Sequence, residues 1–260
     1  MIIDPDPDGI HRRRLAGRRR RGAHGGPRRR RWWPRLLGLL VFVIALPPAA
    51  VWALRTVDPP TTAFMLAARW SAYARGDGTF SIDQRWRPFA AISGWAGVAA
   101  IAAEDQKFPR HHGFDVEAIA EAWQHNQDGG ALRGASTISQ QLAKNLFLWS
   151  GRSFARKGLE AGFTFLLEAM LSKTRILELY LNVAEFGPGV YGVGAASERY
   201  FGHAAAGLDE SEAALLAAVL PNPREYHVEA PSPYVLERRQ WIRRQMQQLG
   251  GLALLSRLSR

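Results

Sequence analysis

Nineteen consecutive residues, Leu36 to Leu54, carry no charge. As a helix they would span about 28 Å at ~1.5 Å per residue, close to the hydrocarbon core of a bilayer. Trp32, Trp33 and Trp52 stand near the ends of the run, where interfacial aromatic anchors belong. Residues 1–35 hold 12 Arg against 3 Asp. The positive-inside rule therefore expects residues 1–35 on the cytoplasmic side and everything after Arg55 outside. Pro47-Pro48 should kink the helix, which membranes tolerate. A cleaved signal peptide is a weaker reading, because a 35-residue basic leader is long for one. A buried core helix is weaker still.

The net charge of +11 could point to nucleic acid, but its placement argues otherwise. The first 35 residues account for +9, and the other 225 carry 22 Lys and Arg against 20 Asp and Glu. The basicity is thus a tail, expected to be disordered among its Gly and Pro, and no nucleic-acid partner is expected. The chain has no Cys, so no disulfide is available. Three segments follow: a tail over 1–35, a transmembrane helix over 36–54, and an extracytoplasmic domain over 55–260.

The outer segment reads as mainly α. Asp58-Pro59-Pro60 breaks the chain, and Thr61 to Ala74 reads as a helix suited to a membrane surface or to ordinary packing. Ile82 to Trp86 fits a short extended piece. Val98 to Ala103 is a small apolar helix that delivers Glu104 at its end. Further helices are expected over Asp115–Trp123, over 137–148 from the capping box of Thr137 and Gln140, and from Ser153 to about Ser172. Thr174–Val183 and Tyr234–Leu249 continue the series. Asp209 with Glu212 caps a helix that ends at Pro221-Asn222-Pro223. Gly129-Gly130 is expected as a loop, and Gly187 to Gly194 as a Gly-rich loop. The latter lacks the features of a phosphate loop, which leaves tight packing or a wall of a cleft.

Candidate chemistry concentrates between Glu104 and Glu160. Burial behind an apolar helix would raise the Glu104 pKa and fit it to take a proton from a hydroxyl. Ser136, Gln140 and Lys144 fall at i, i+4 and i+8, which would place a hydroxyl, an amide and an ammonium on one helical face. Arg152, Arg156 and Glu160 share another face at the same spacing, with Lys157 beside it, as a clamp for a diphosphate would. The plainer readings are solvated carboxylates, an exposed polar stripe and a simple i, i+4 ion pair. His111-His112 lacks partners at metal spacing. No Ser-x-x-Lys transpeptidase motif occurs.

Five ordered blocks carry a resemblance. They are Glu104-Asp105-x-x-Phe108-x-x-His111-x-Gly113-x-Asp115; Gly134-x-Ser136-Thr137-Ile138-x-Gln140-Gln141-x-x-Lys144-Asn145; Arg156-Lys157-x-x-Glu160; Ile176-Leu177-Glu178-x-Tyr180-Leu181-Asn182; and Ala213 to Ala217 leading to Pro221-Asn222-Pro223. Over roughly residues 98–223 the chain resembles the peptidoglycan glycosyltransferases of family 51 in their monofunctional, membrane-anchored form. The resemblance implies a lysozyme-like helical catalytic lobe with a smaller membrane-associating lobe. It implies polymerisation of lipid II onto a lipid-linked glycan chain, with inversion, at a bacterial inner membrane and on its periplasmic side.

By that pattern Glu104 is the general base, and Lys144, Arg152 and Arg156 neutralise the departing diphosphate. Glu160 holds the clamp or a divalent cation, Mg or Mn, and no organic cofactor is implied. Ser136, Gln140 and Asn145 bind substrate, and Asp105, Phe108, His112, Gly113, Thr137, Gln141 and Lys157 complete the substrate-binding set. Cell-wall synthesis or division proteins are the implied protein partners. A lytic enzyme of lysozyme type and a non-enzymatic membrane scaffold are the competing classes. The first needs a catalytic Glu but no cationic clamp, and the second needs neither.

Overall fold

The computed structural model describes residues 32–127, 136–151 and 153–258. The Arg runs before residue 32, Gly129-Gly130, Gly134 and Arg152 lie outside the described residues. The first helix, α1 (Trp33–Ala53), continues through Pro47 and Pro48. It is long and apolar enough to cross a membrane, and almost none of its apolar surface is covered by protein. At its far end Val51 and Leu54 pack into the core. Arg175 fastens the segment that follows, donating to the carbonyls of Leu54 at 2.8 Å and Val57 at 3.1 Å and pairing with Asp58 at 2.8 Å.

After α2 (Ala63–Ala74), capped by Thr62, comes the helix on which the site depends, α3 (Gly94–Glu104). Every residue from Ala96 to Ala102 is buried. A helix that is apolar on all sides must sit inside the protein, and one built mostly of Ala and Gly lets its neighbours approach closely. α9 (Glu210–Val219) is its counterpart, buried from Ala213 to Val219 and opened by the Asp209–Glu212 capping box. α3 packs against α9, against α10 (Pro233–Gln248) and against α7 (Lys173–Val183). Its last residue, Glu104, therefore emerges at the point where the core meets solvent.

α4 (Val116–Gln127), α5 (Ile138–Phe147) and α6 (Phe154–Met170) supply the other side of the site. α5 packs on α6 and α7. Both capping boxes expected from sequence are formed.

The Gly-rich stretch is not a loop. It makes the hairpin strands β2 (Glu185–Gly187) and β3 (Val190–Tyr191), β1 (Asp83–Gln84) adds to β3 in parallel, and the chain passes directly into α8 (Gly192–Phe201). Glycine is required for this compression. At Gly192 φ is +81°, and a Cβ would stand 2.6 Å from the Asn182 carbonyl oxygen. Asn182 is fully buried and holds the segment after β1 from both sides, accepting from the Arg87 amide and donating to its carbonyl, each at 2.8 Å.

Candidate active site

Glu104 is the centre of the site. Its side chain is 12% exposed, and Gln141 donates its Nε2 to Oε2 at 2.7 Å. The orientation of that amide is enforced: the Tyr180 hydroxyl donates to Gln141 Oε1 at 3.1 Å, so the NH₂ group must face the carboxylate. On the other side Arg238 Nη2 lies 3.6 Å from Glu104 Oε1, which has no hydrogen-bond partner. Burial raises the Glu104 pKa above the ordinary glutamate range, and nearby Asp105 adds to the rise. Gln141, Arg238 and Lys144 pull it partly back. Burial likewise pushes the Tyr180 phenol well above its ordinary range.

Two clefts flank the Glu104–Gln141 pair. The larger, about 650 Å³, is lined by Glu104, Lys107, Asp115, Ser136, Arg238 and Trp241 among others. The smaller, about 190 Å³, is lined by Gln141, Lys144, Asn145, Phe64 and Tyr180 among others. Glu104 itself lines the larger, and its partner Gln141 lines the smaller.

The cations form the second part of the site. Arg156 Nη1 lies 2.6 Å from Glu160 Oε2, and Lys157 Nζ lies 2.5 Å from Oε1. Glu160 itself is 3% exposed. Burial lowers the Lys144 pKa, and Arg156 and Lys157 lower it further, while Glu160 and Glu104 oppose them. Lys144 thus feels both carboxylates at once. Arg156 and Lys157 both pair with the single carboxyl group of Glu160 and Lys144 lies within their field, an excess of cationic side chains suited to an anion. Both oxygens of Glu160 are engaged by cations, so it positions the clamp.

The fit to a divalent cation is poor. Each oxygen of Glu160 already accepts from a cation, and a metal ion sharing them would be repelled by Arg156 and Lys157. Among the described residues no group of three His, Cys, Asp or Glu side chains could hold a metal ion.

Several residues expected at a substrate surface do other work. Phe108 is fully buried, with Lys173 Nζ 4.4 Å from its ring centroid, so it contributes packing. Gln140 is 4% exposed and accepts at Oε1 from the Thr137 amide, completing the cap of α5. Ser136 precedes that cap, so Ser136, Gln140 and Lys144 do not share the expected face, and it is Gln141 that reaches Glu104. Thr137, 2% exposed, donates its hydroxyl to the Gly113 carbonyl at 2.7 Å. Gly113 has φ +90°, and a Cβ there would stand 2.8 Å from Thr164 Cγ2. Glycine there lets the chain pass Thr164.

Asp105 is buried too. Its carboxylate accepts from His111 Nε2 at 2.8 Å and from the Ile138 amide at 3.0 Å. Because the Gly113 amide donates to His111 Nδ1 at 3.0 Å, the imidazole carries its proton on Nε2. The pair links the residue after Glu104 to the first turn of α5, which carries Gln141 and Lys144. His112, the histidine expected at the substrate, is exposed and does not line the large cleft. Sequence reasoning also missed Arg238, Tyr180 and Trp241.

This arrangement has counterparts. The family profile described as Transglycosylase matches residues 76–247. The chain belongs to the transglycosylase family. The match includes Glu104, the cation cluster and Arg238. A protein of Xanthomonas oryzae pv. oryzae named biosynthetic peptidoglycan transglycosylase is 55% identical over 202 residues, 78% of this chain and 82% of the relative. Proteins of the same name from Citrobacter koseri and Xylella fastidiosa are 55% and 52% identical, covering 86% and 85% of this chain and 93% and 91% of theirs. As a transglycosylase-family chain, it has its buried carboxylate and its cationic helix within the matched span.

Proposed function

We propose that this chain is a peptidoglycan glycosyltransferase that polymerises lipid II into β-1,4-linked glycan strands. The observation that carries the reading is the pairing of one buried, pKa-raised carboxylate with a cluster of excess cations within reach of the same lysine. Glu104 removes the proton from the acceptor 4-hydroxyl as that oxygen bonds to the donor anomeric carbon. The bond from that carbon to the diphosphate oxygen breaks, its electron pair leaves with undecaprenyl diphosphate, and the configuration inverts. A diphosphate departs as an anion, so the step asks for positive charge rather than a general acid. Lys144 and Arg156 supply it, with Lys157 beside them. Arg152 joins them on the strength of the resemblance.

The same features weigh against lysozyme-type cleavage, which uses two working carboxyl groups. Asp105 is bound to His111 and Ile138, and Glu160 to its two cations. Burial raises the Asp115 pKa, but the Ala118 amide and Lys107 outweigh it, so this carboxyl stays ionised.

The substrate lipid is met at a membrane. α1 serves as the anchor, with residues 1–35 cytoplasmic and the catalytic body outside the inner membrane. Reporter fusions at residues 30 and 260 test that orientation.

The deciding experiment is polymerisation of labelled lipid II by the purified full chain, beside Glu104→Gln. Wild type should give long glycan, and the variant should lose activity by roughly 10²–10⁴-fold, the usual worth of a general base. Shortened strands released from sacculi, with no polymer from lipid II, would instead establish the lytic reading.

A further inference from the structure

The α10 helix turns one face to the core through Val235, Ile242 and Met246 and another toward solvent. On the solvent side Tyr234, Arg238, Trp241 and Gln245 follow one another at i, i+4, i+7 and i+11, a single stripe. Arg238, Trp241 and Gln245 line the large Glu104 cleft. Tyr234, Arg238 and Trp241, with Glu237 and Arg244, line an adjoining groove of about 280 Å³. The two spaces share Arg238 and Trp241, so the groove extends the cleft away from Glu104. Tyr234 and Trp241 are 51% and 38% exposed. Tyr226 packs against Tyr234 in a tilted arrangement, 5.3 Å between ring centroids, and braces it. Glu237 and Arg244 form no ion pair among the described residues.

We propose that this stripe is a saccharide subsite, holding a further sugar of the glycan chain beyond the one that reacts at Glu104. The assignment rests on the glycosyltransferase reading above. Aromatic faces exposed on a rigid helix offer apolar area at low cost in conformational entropy, and they suit the C–H face of a pyranose. Glu237 accepts hydrogen bonds and Arg244 donates them, which matches hydroxyls that do both. An acidic peptide fits less well, because Glu237 would repel it. A lipid tail fits less well still, because three charged side chains border the groove. Tyr234 and Trp241 are seven residues apart, about 10 Å along the helix, enough for more than one sugar ring.

The test uses the full chain in detergent and a soluble, peptide-free GlcNAc–MurNAc tetrasaccharide, with binding followed by calorimetry. Wild type and Trp241→Phe should bind it, and Trp241→Ala and Arg244→Ala should bind at least fivefold more weakly while unfolding at wild-type temperature. Glu104→Gln should keep fragment binding and lose polymerisation. In polymerisation, Trp241→Ala should raise the KM for lipid II at least fivefold, with Trp241→Phe restoring it. Equal binding by wild type and Trp241→Ala, or binding only of a peptide-bearing fragment, would overturn the proposal. Fragment binding through Trp241 by a wild type that makes no polymer would leave the subsite standing and remove the polymerase reading instead.

Discussion

At the scale of single residues the site is governed by how one carboxylate is held. Arg238 favours the ionised form of Glu104, so its loss should raise the Glu104 pKa. The acid limb of the pH–rate profile should then move to higher pH in Arg238→Ala and return toward its place in Arg238→Lys. An unmoved limb would deny Arg238 this role. Stability follows the same linkage. The folded-state pKa of Glu104 lies above its unfolded value, so the native state binds the extra proton, and stability falls as pH rises through that window. Glu104→Gln should therefore raise the unfolding temperature at neutral pH and lose that advantage below the unfolded pKa, which scanning calorimetry at both pH values reads. Much of this site was legible in the sequence: Glu104 follows an apolar run, and Arg156, Lys157 and Glu160 stand at helical spacing. The choice between Gln140 and Gln141 was not, because the capping box claims one and only Tyr180, seen in sequence within the block from Ile176 to Asn182, orients the other. Arg238 was hidden in Glu237-Arg238-Arg239, where no pattern separates a site arginine from a solvated one.

At the scale of elements, boundaries written in local chemistry were legible. Thr137, Ser153 and Asp209 each begin a helix within a residue or two of where their side chains place it. The tight hairpin of β2 and β3 was not, since the strands are two or three residues long and their partner β1 is about 100 positions away in the chain. Close packing explains the glycines there, and it is testable. Gly192→Ala places a Cβ against the Asn182 carbonyl in a left-handed conformation. It should cost about 1–3 kcal/mol, as strained positions do, and lower the midpoint by several degrees at about 2–4 °C per kcal/mol. Gly158→Ala, where a Cβ meets nothing within 4 Å, should not lower it and serves as the control. Thr137→Ala should cost about 1 kcal/mol through its cap, and more through the hydroxyl's bond to Gly113.

At the scale of the whole molecule, the exposed apolar side chains outside α1 lie mainly on α2, α4 and α6. α4 exposes Val116, Ile119 and Trp123 at i, i+3 and i+7, one continuous stripe. α2 exposes Leu66, Trp70 and Tyr73, and α6 exposes Phe154, Leu159 and Phe165. Scattered exposed hydrophobes need no explanation, but the stripes on α4 and α2 mark a surface that meets another apolar phase. The other face of α4 supplies Ala118 and Glu121 to the large cleft. A helix with its apolar stripe in the bilayer interface would therefore hold the cleft mouth where a lipid-linked sugar emerges, which is the work the resemblance assigns to a smaller membrane-associating lobe. Replacing Ile119 and Trp123 with Ser removes two side chains worth roughly 1.5–3 kcal/mol each when fully buried. In the full chain, still anchored by α1, the double variant should turn over lipid II in vesicles at least fivefold more slowly than wild type. On a short-chain, water-soluble lipid II analogue the two should differ by less than twofold, because the bilayer no longer takes part. An equal loss on both substrates would place the defect in the cleft itself and remove α4 from the membrane.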